Sequence, residues 1–387
     1  MNTRAIEAQY TLPVYPQLDF VPVSGSGASL RDANGREVLD LYGGHAVAAL
    51  GYDHPALLQA VTQQLETLPF QSNIVANPIR ATAAQALVQF SPSHLSHAFF
   101  VNSGAEANEN ALRLAFKKPG GRHVVAVEYG FHGRTTAAAA VTWGARDKWY
   151  AFPGAPFEVS FVPRDDLAAA RSACRPDTAA VIVEPVQGVA GAFDLQPEFL
   201  QALAASAREH GALFIADEVQ CGMGRTGLPF AITHAGVEAD IVTAAKSLGG
   251  GVACGAVLTT DAIAAKCHAG DLGTTFGGGP LAAAAIQAVI QTIINENLMD
   301  NARERAAQIR AECVVGPVTA IQGKGMLLGL RCRPPAREVR DGLLAADILT
   351  GLSADPHVLR LLPPLNLHPN HIDQLKTALL ALPNGNA

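Results

Sequence analysis

Two apolar runs in this chain end in groups that could do chemistry together. Leu213-Phe-Ile-Ala-Asp217 leads into a glycine-rich turn, Glu218-Val-Gln220-Cys-Gly-Met-Gly-Arg-Thr-Gly227, and further on comes Ala244-Ala-Lys246-Ser-Leu-Gly-Gly-Gly251. A lysine amine enclosed by small residues is poorly solvated, so its pKa falls and it becomes a nucleophile able to capture an aldehyde as a Schiff base. A carboxylate that closes an apolar strand needs a partner of its own. Pyridoxal phosphate needs both groups: the lysine holds it, and the acid keeps its ring nitrogen protonated so that the ring acts as an electron sink. Each residue alone has a plainer explanation. Asp217 could cap a helix or pair with Arg225, and an isolated Lys246 would most often be a solvated strand-end lysine.

Three further segments carry candidate groups. Asn102-Ser103-Gly104-Ala105-Glu106-Ala107-Asn108 stands where a strand gives way to a helix, so free N–H groups and the helix dipole could bind a phosphate. Ser103 would otherwise be a simple N-cap. In Tyr129-Gly130-Phe131-His132-Gly133-Arg134-Thr135 an aromatic ring could stack on a flat cofactor, and Arg134 could clamp a carboxylate with two parallel hydrogen bonds. His132 reads as a packing or supporting residue, because no His, Cys or Asp spacing resembles a metal site. The loop Gly270–Gly279 could add a second phosphate contact through Thr274 or Thr275, within its own subunit or to a partner, or be a flexible connector.

Short apolar runs alternate with amphipathic stretches through the middle of the chain. Residues 98–102, 124–127, 180–183, 213–216, 241–244 and 255–259 read as strands, and 105–117 and 197–210 as helices. This pattern predicts an α/β protein with a mostly parallel sheet covered by helices, whose ligands sit at the C-terminal strand ends. Residues 28–41 read as a hairpin turned at Asn34-Gly35. From Pro280 to about Arg310 the pattern predicts one long Ala-rich helix. A turn and strand over 323–330, a strand over 358–365 and a last helix over 372–382 follow. The expected division is an N-terminal segment (1–48) joining a small domain, a large cofactor-binding domain (49–284) and a small C-terminal α+β domain (285–387).

At 387 residues the chain is long for one core, and its 49% hydrophobic and 16% charged composition suits a well-buried globule. A net charge of -6 argues against a nucleic-acid surface. Six cysteines without a CxxC pair read as free thiols. No signal peptide or membrane-length apolar run is visible. A cytoplasmic location is expected.

Together these segments resemble the class III (ornithine-type) aminotransferases, a subgroup of the fold-type I pyridoxal-phosphate enzymes. The strongest match is Asp217 to Gly227 with Ala245 to Gly251, and the similarity extends from the hairpin near residue 30 to Arg360. The resemblance implies a role for each matching position. Lys246 would bind the cofactor and carry the proton between substrate carbons. Asp217 would pair with the pyridine nitrogen, and Gln220 with the ring hydroxyl. Phe131 and Val219 would cover the two ring faces. Ser103, Gly104 and Ala105 would cradle the phosphate, joined by Thr275 from the other subunit of a homodimer. Arg134 and Arg360 would bind the carboxylates of glutamate and 2-oxoglutarate.

Within the family the chain is most similar to the N-acetylornithine and N-succinylornithine aminotransferases of arginine biosynthesis. Free-ornithine enzymes carry a tyrosine where Gly44 falls, and glycine leaves room for an acylated amine. Asn73, within Ser72-Asn-Ile-Val-Ala-Asn77, replaces a usually aromatic stretch and suggests a wider acyl pocket. One departure matters. Where Glu184-Pro-Val-Gln-Gly-Val189 ends, the family has a second glutamate that neutralises the C-terminal arginine. With Val189 there, Arg360 is expected to stay exposed in both half-reactions, so the donor too could present a carboxylate to it. Donors other than acyl-ornithine (acyl-lysine, acyl-diaminopimelate, a diamine), an aminomutase, and a non-enzymatic cofactor-binding protein are the rival readings.

Overall fold

Six apolar runs expected as strands are strands, and a seventh joins them at an edge. The computed structural model describes residues 3–384. The central sheet contains β1 (His97–Val101), β2 (His123–Val127), β3 (Glu158–Val162), β4 (Thr178–Val183), β5 (Leu213–Asp217), β6 (Ile241–Ala245) and β7 (Gly255–Thr259). Their spatial order is β1-β7-β6-β5-β4-β2-β3. Only β7 runs against its neighbours; the remaining pairs are parallel.

The central strands are buried along their whole length, because helices cover both faces. Alternate side chains therefore enter two cores. Val125, Val181, Phe214 and Val242 pack on one side, and Val124, Ile182, Ile215 and Ile241 on the other. Such strands read as continuous Val/Ile/Ala runs, which is why they were visible in the sequence. The edge strand β3 alternates exposed and half-buried positions, and its weaker apolar signal was missed.

Helices α1 (Gly104–Ala115) and α2 (Pro197–Glu209) fall where expected. The predicted single helix from Pro280 does not form. Two helices, α3 (Pro280–Asn295) and α4 (Leu298–Glu312), meet at Asn297, whose φ of 52° is left-handed and ends α-helical continuity. Ala-rich periodicity on both sides concealed that one-residue break.

The Asn34-Gly35 turn joins strands Ser29–Asp32 and Glu37–Asp40 as predicted. The second of these also pairs in parallel with Ile348–Leu349, tying the start of the chain to its C-terminal third. There, an antiparallel sheet orders Val318–Lys324, Leu327–Cys332, Val358–Leu361 and Gly351–Leu352, followed by α5 (Pro369–Ala381). Among the described residues no helix is long and apolar enough to cross a membrane.

Candidate active site

Five parallel strands bring their C-terminal ends to one cavity of about 430 Å³. Ser103, Gly104 and Ala105 reach it after β1, Phe131 to Arg134 after β2, Glu184 after β4, Asp217, Val219 and Gln220 at the end of β5 and Lys246 after β6. This is the position that parallel α/β sheets use for ligands, because the loops there are free of the ladder and helix N-termini point inward.

Lys246 starts a short 3₁₀ turn directly after β6, with a left-handed φ of 49°. A non-glycine residue in that region is held by its surroundings. Its amine lines the cavity. Burial lowers its pKa, the carboxylates of Asp217 and Glu184 oppose that shift, and Arg360 adds to it.

Asp217 is 2% exposed, and its partners are not the Arg225 that a purely structural role would have used. Its Oδ2 accepts from His132 Nδ1 and Asn108 Nδ2, both at 2.7 Å. Oδ1 accepts from the Val219 backbone N–H at 3.0 Å. Asn108 is itself held by Thr243, whose hydroxyl donates to Oδ1 of Asn108 at 2.7 Å. Thr243 stands beside Asp217 because β5 and β6 pair in that register. Arg225 instead donates to the carbonyls of Met326 and Pro363, fully buried.

Helix α1 opens with Ser103 as N-cap, its hydroxyl accepting from the Glu106 N–H at 3.2 Å. The capping role and an anion-binding role are compatible, since the N–H groups of Gly104 and Ala105 remain without intrahelical acceptors. Gly104 is required there: a Cβ would lie 2.6 Å from Val219 Cγ1. Phe131 and Val219 line the same cavity. Arg134 is exposed, with its guanidinium 4.9 Å from the Trp149 ring centre.

Glu184 is buried, and accepts from the N–H groups of Phe131 and Gly188 at 2.8 and 3.1 Å. Burial first, and then the Asp217 charge, push its pKa up. Sequence reasoning treated Glu184 only as a landmark, and did not single out Asn108 or Thr243. A usable signal existed for Asn108: it is a polar residue on the buried stripe of α1, flanked by Ala107 and Ala111.

Three assigned residues lie elsewhere in the chain. Thr275 is exposed and does not line the cavity of its own subunit. Asn73 donates to the Gly277 and Thr274 carbonyls at 2.9 and 3.3 Å, which ties the 72–77 segment to the Thr275 loop. Gly44 lines an adjoining cavity of about 350 Å³ that shares Val47 and Gly251 with the first. The expectation for Arg360 is corrected: it is 5% exposed, not open to solvent. It donates to the Leu352 carbonyl at 2.8 Å, the Tyr42 hydroxyl at 2.8 Å and Gln220 Oε1 at 3.4 Å. The sequence could not anticipate that Tyr42 covers it.

The donor set fits pyridoxal phosphate: a cavity-facing amine, a buried carboxylate backed by His132 and Asn108, and a helix start with free N–H groups. Comparison with known proteins agrees. The profile of the family described as aminotransferase class-III matches residues 13–382. The chain is 41% identical to an acetylornithine aminotransferase of Methanopyrus kandleri, over 99% of this chain and 98% of that one. It is 39% identical to an acetylornithine/succinyldiaminopimelate aminotransferase of Yersinia pestis, over 95% and 93%. Its fold superposes on the ornithine aminotransferase of Toxoplasma gondii with a TM-score of 0.90 at 28% identity, over 97% and 92%; that structure has pyridoxal phosphate at partial occupancy in its active site. Sequence, fold and site therefore agree that the chain belongs to the class-III aminotransferases, a fold-type I family, and is a pyridoxal-phosphate-dependent aminotransferase.

Proposed function

We propose that this aminotransferase moves the δ-amino group of an N²-acyl-ornithine, acetyl or succinyl, to 2-oxoglutarate, as in arginine biosynthesis. The observation that carries the substrate choice is Gly44. Its φ is 57°, and a Cβ there would meet nothing within 4 Å. Open space beside the lysine cavity suits a donor whose α-amine bears an acyl group. Support also comes from the relatives named for acetylornithine.

Bound pyridoxal phosphate supplies an electron sink for removing a proton from the carbon that carries the amino group. Lys246 would hold the cofactor and, as a weakly basic buried amine, would carry that proton between substrate carbons. Asp217 would hold a proton on the ring nitrogen, and His132 and Asn108 keep its carboxylate aimed. Gln220 would serve the ring hydroxyl, Phe131 and Val219 the ring faces, and Ser103, Gly104 and Ala105 the phosphate, all six lining the one cavity. Arg134 and Arg360 take substrate carboxylates, and Gly44 and Asn73 shape the donor side.

The proposed assembly is a homodimer in which Thr275 reaches the partner's phosphate site. Exposed apolar side chains support it: Ile74 is 87% exposed and Phe276 64%, and Tyr10, Leu12, Val14 and Tyr15 are also uncovered. The domain division is proposed as residues 1–48 with 285–387, around the large domain 49–284. The proposed compartment is the cytoplasm, in keeping with free cysteines among the described residues.

The test is kcat/KM for acetyl-ornithine, succinyl-ornithine, ornithine, acetyl-lysine and succinyl-diaminopimelate measured side by side. Acylated ornithine should be preferred, and a preference for free ornithine removes the Gly44 argument. Gly44→Tyr should lower kcat/KM for the acylated donor about tenfold or more, the scale of a misfit in a substrate pocket. It should also cost about 1 kcal/mol of stability, because a tyrosine is disfavoured in a left-handed conformation. An unchanged donor preference in that variant would show that position 44 does not face the acyl group.

A further inference from the structure

Arg360 is a buried cation whose direct hydrogen-bond partners, among the described residues, are all neutral: the Leu352 carbonyl, Gln220 Oε1 and the Tyr42 hydroxyl. A guanidinium removed from water is unfavourable unless acceptors hold it or an anion balances it; the Glu184 carboxylate acts on Arg360 through its field, and among the described residues no carboxylate bonds it directly. The phenol of Tyr42 links this cation to a second group. Arginine can only donate, so the Tyr42 oxygen accepts from Nη2 at 2.8 Å, which leaves the phenol proton free to be donated to His45 Nδ1 at 2.7 Å. His45 is then the neutral tautomer. Burial, Arg360 and Lys246 all disfavour its protonation.

This arrangement is built in on both sides. The Tyr42 N–H donates to Asp40 Oδ1 at 2.7 Å. The ring lies where a Cβ on Gly351 would come within 1.8 Å of Tyr42 Cε2, so only glycine lets it seat. The ring centre is 5.4 Å from the Arg360 guanidinium and 4.7 Å from the His45 ring. Gly43, Gly44, His45 and Ala46 are four consecutive left-handed residues. They are held from the active-site side: Gln220 Nε2 contacts the His45 carbonyl at 3.4 Å, and Ser247, next to Lys246, donates to the Ala46 carbonyl at 2.7 Å.

We propose that Tyr42 and His45 are a positioning pair that aims Arg360 at a carboxylate of the oxo-acid substrate, so that a neutral phenol–imidazole pair does for this arginine what an acidic neighbour would otherwise do. A carboxylate neighbour would compete with the substrate for the guanidinium. A phenol holds the cation in place and leaves its charge free for the incoming anion. The proposal rests on Arg360 being the carboxylate anchor, and the experiment separates the two.

Steady-state kinetics on the cofactor-loaded enzyme decide it. Tyr42→Phe and His45→Leu should each raise KM for 2-oxoglutarate about tenfold, the loss of one hydrogen bond in a chain ending on a charged group, with kcat changed less than about threefold. Tyr42→Phe with His45→Leu should be no worse than either alone, because the two act as one unit. His45→Gln, whose amide oxygen can still accept from the phenol, should restore KM. A KM within about twofold of the parent in Tyr42→Phe overturns the proposal, as does a KM rise in His45→Leu that His45→Gln fails to reverse. Melting temperatures of the loaded variants identify any that misfold, and in that case the reading passes to the His45→Leu and His45→Gln comparison. If Arg360→Lys leaves KM for 2-oxoglutarate unchanged, the anchor itself is refuted and the pair has nothing to aim. If Arg360→Lys raises KM and Tyr42→Phe does not, only the pair is refuted.

Discussion

Lys246→Ala should abolish turnover, by more than about 10⁴-fold, since in the proposed mechanism one amine both binds the cofactor and carries the proton. The absorbance of lysine-bound cofactor should vanish with it. The fold should survive. The amine faces the cavity, and burial works against its charge rather than for it, so truncation removes a poorly solvated cation and no structural hydrogen bond. Alanine must still adopt the left-handed φ of 49°, as lysine does. An unchanged melting temperature of the apo-protein combined with lost activity would place the defect in chemistry. Turnover retained without added amines would refute the role of Lys246.

Asp217→Ala should lower kcat roughly 1000-fold or more, the scale set by removing a preorganised charge from a water-poor site. In the proposed mechanism this carboxylate is the group that would hold a proton on the ring nitrogen. This variant, unlike Lys246→Ala, should also lose stability. Asp217 accepts from His132, Asn108 and the Val219 N–H. Truncation strands those buried donors at about 1–3 kcal/mol each before relaxation. Asp217→Asn separates the two effects, because it keeps the shape and some of the hydrogen bonds but not the charge. It should approach the parent in melting temperature while remaining close to Asp217→Ala in rate. Near-normal kcat in Asp217→Asn would show that the ring is tuned by another group.

Legibility in this chain followed the range of the interactions involved. Strands β2, β4, β5, β6 and β7 were readable because burial on both faces demands unbroken apolar runs. Asp217 and Lys246 were readable because each closes such a run at the end where ligands bind. The Ser103 helix start was readable because capping is a local preference. The break at Asn297 was not readable, since one left-handed residue between two Ala-rich helices leaves the periodicity of each intact.

The amino-acid sequence by itself determined the class of chemistry: an enclosed amine, a buried acid and a helix start, each encoded within a few consecutive residues. Only the tertiary structure decided what surrounds them. Thr243, Asn108 and His132 come to Asp217 from three different elements, through a strand register that no single segment specifies. Tyr42 reaches Arg360 from 318 residues away, where the Leu362 N–H donates to the Leu41 carbonyl and brings the start of the chain against the last sheet. Local patterns record burial and backbone preference. Partners across the fold depend on long-range pairing, which leaves no periodic trace along the chain.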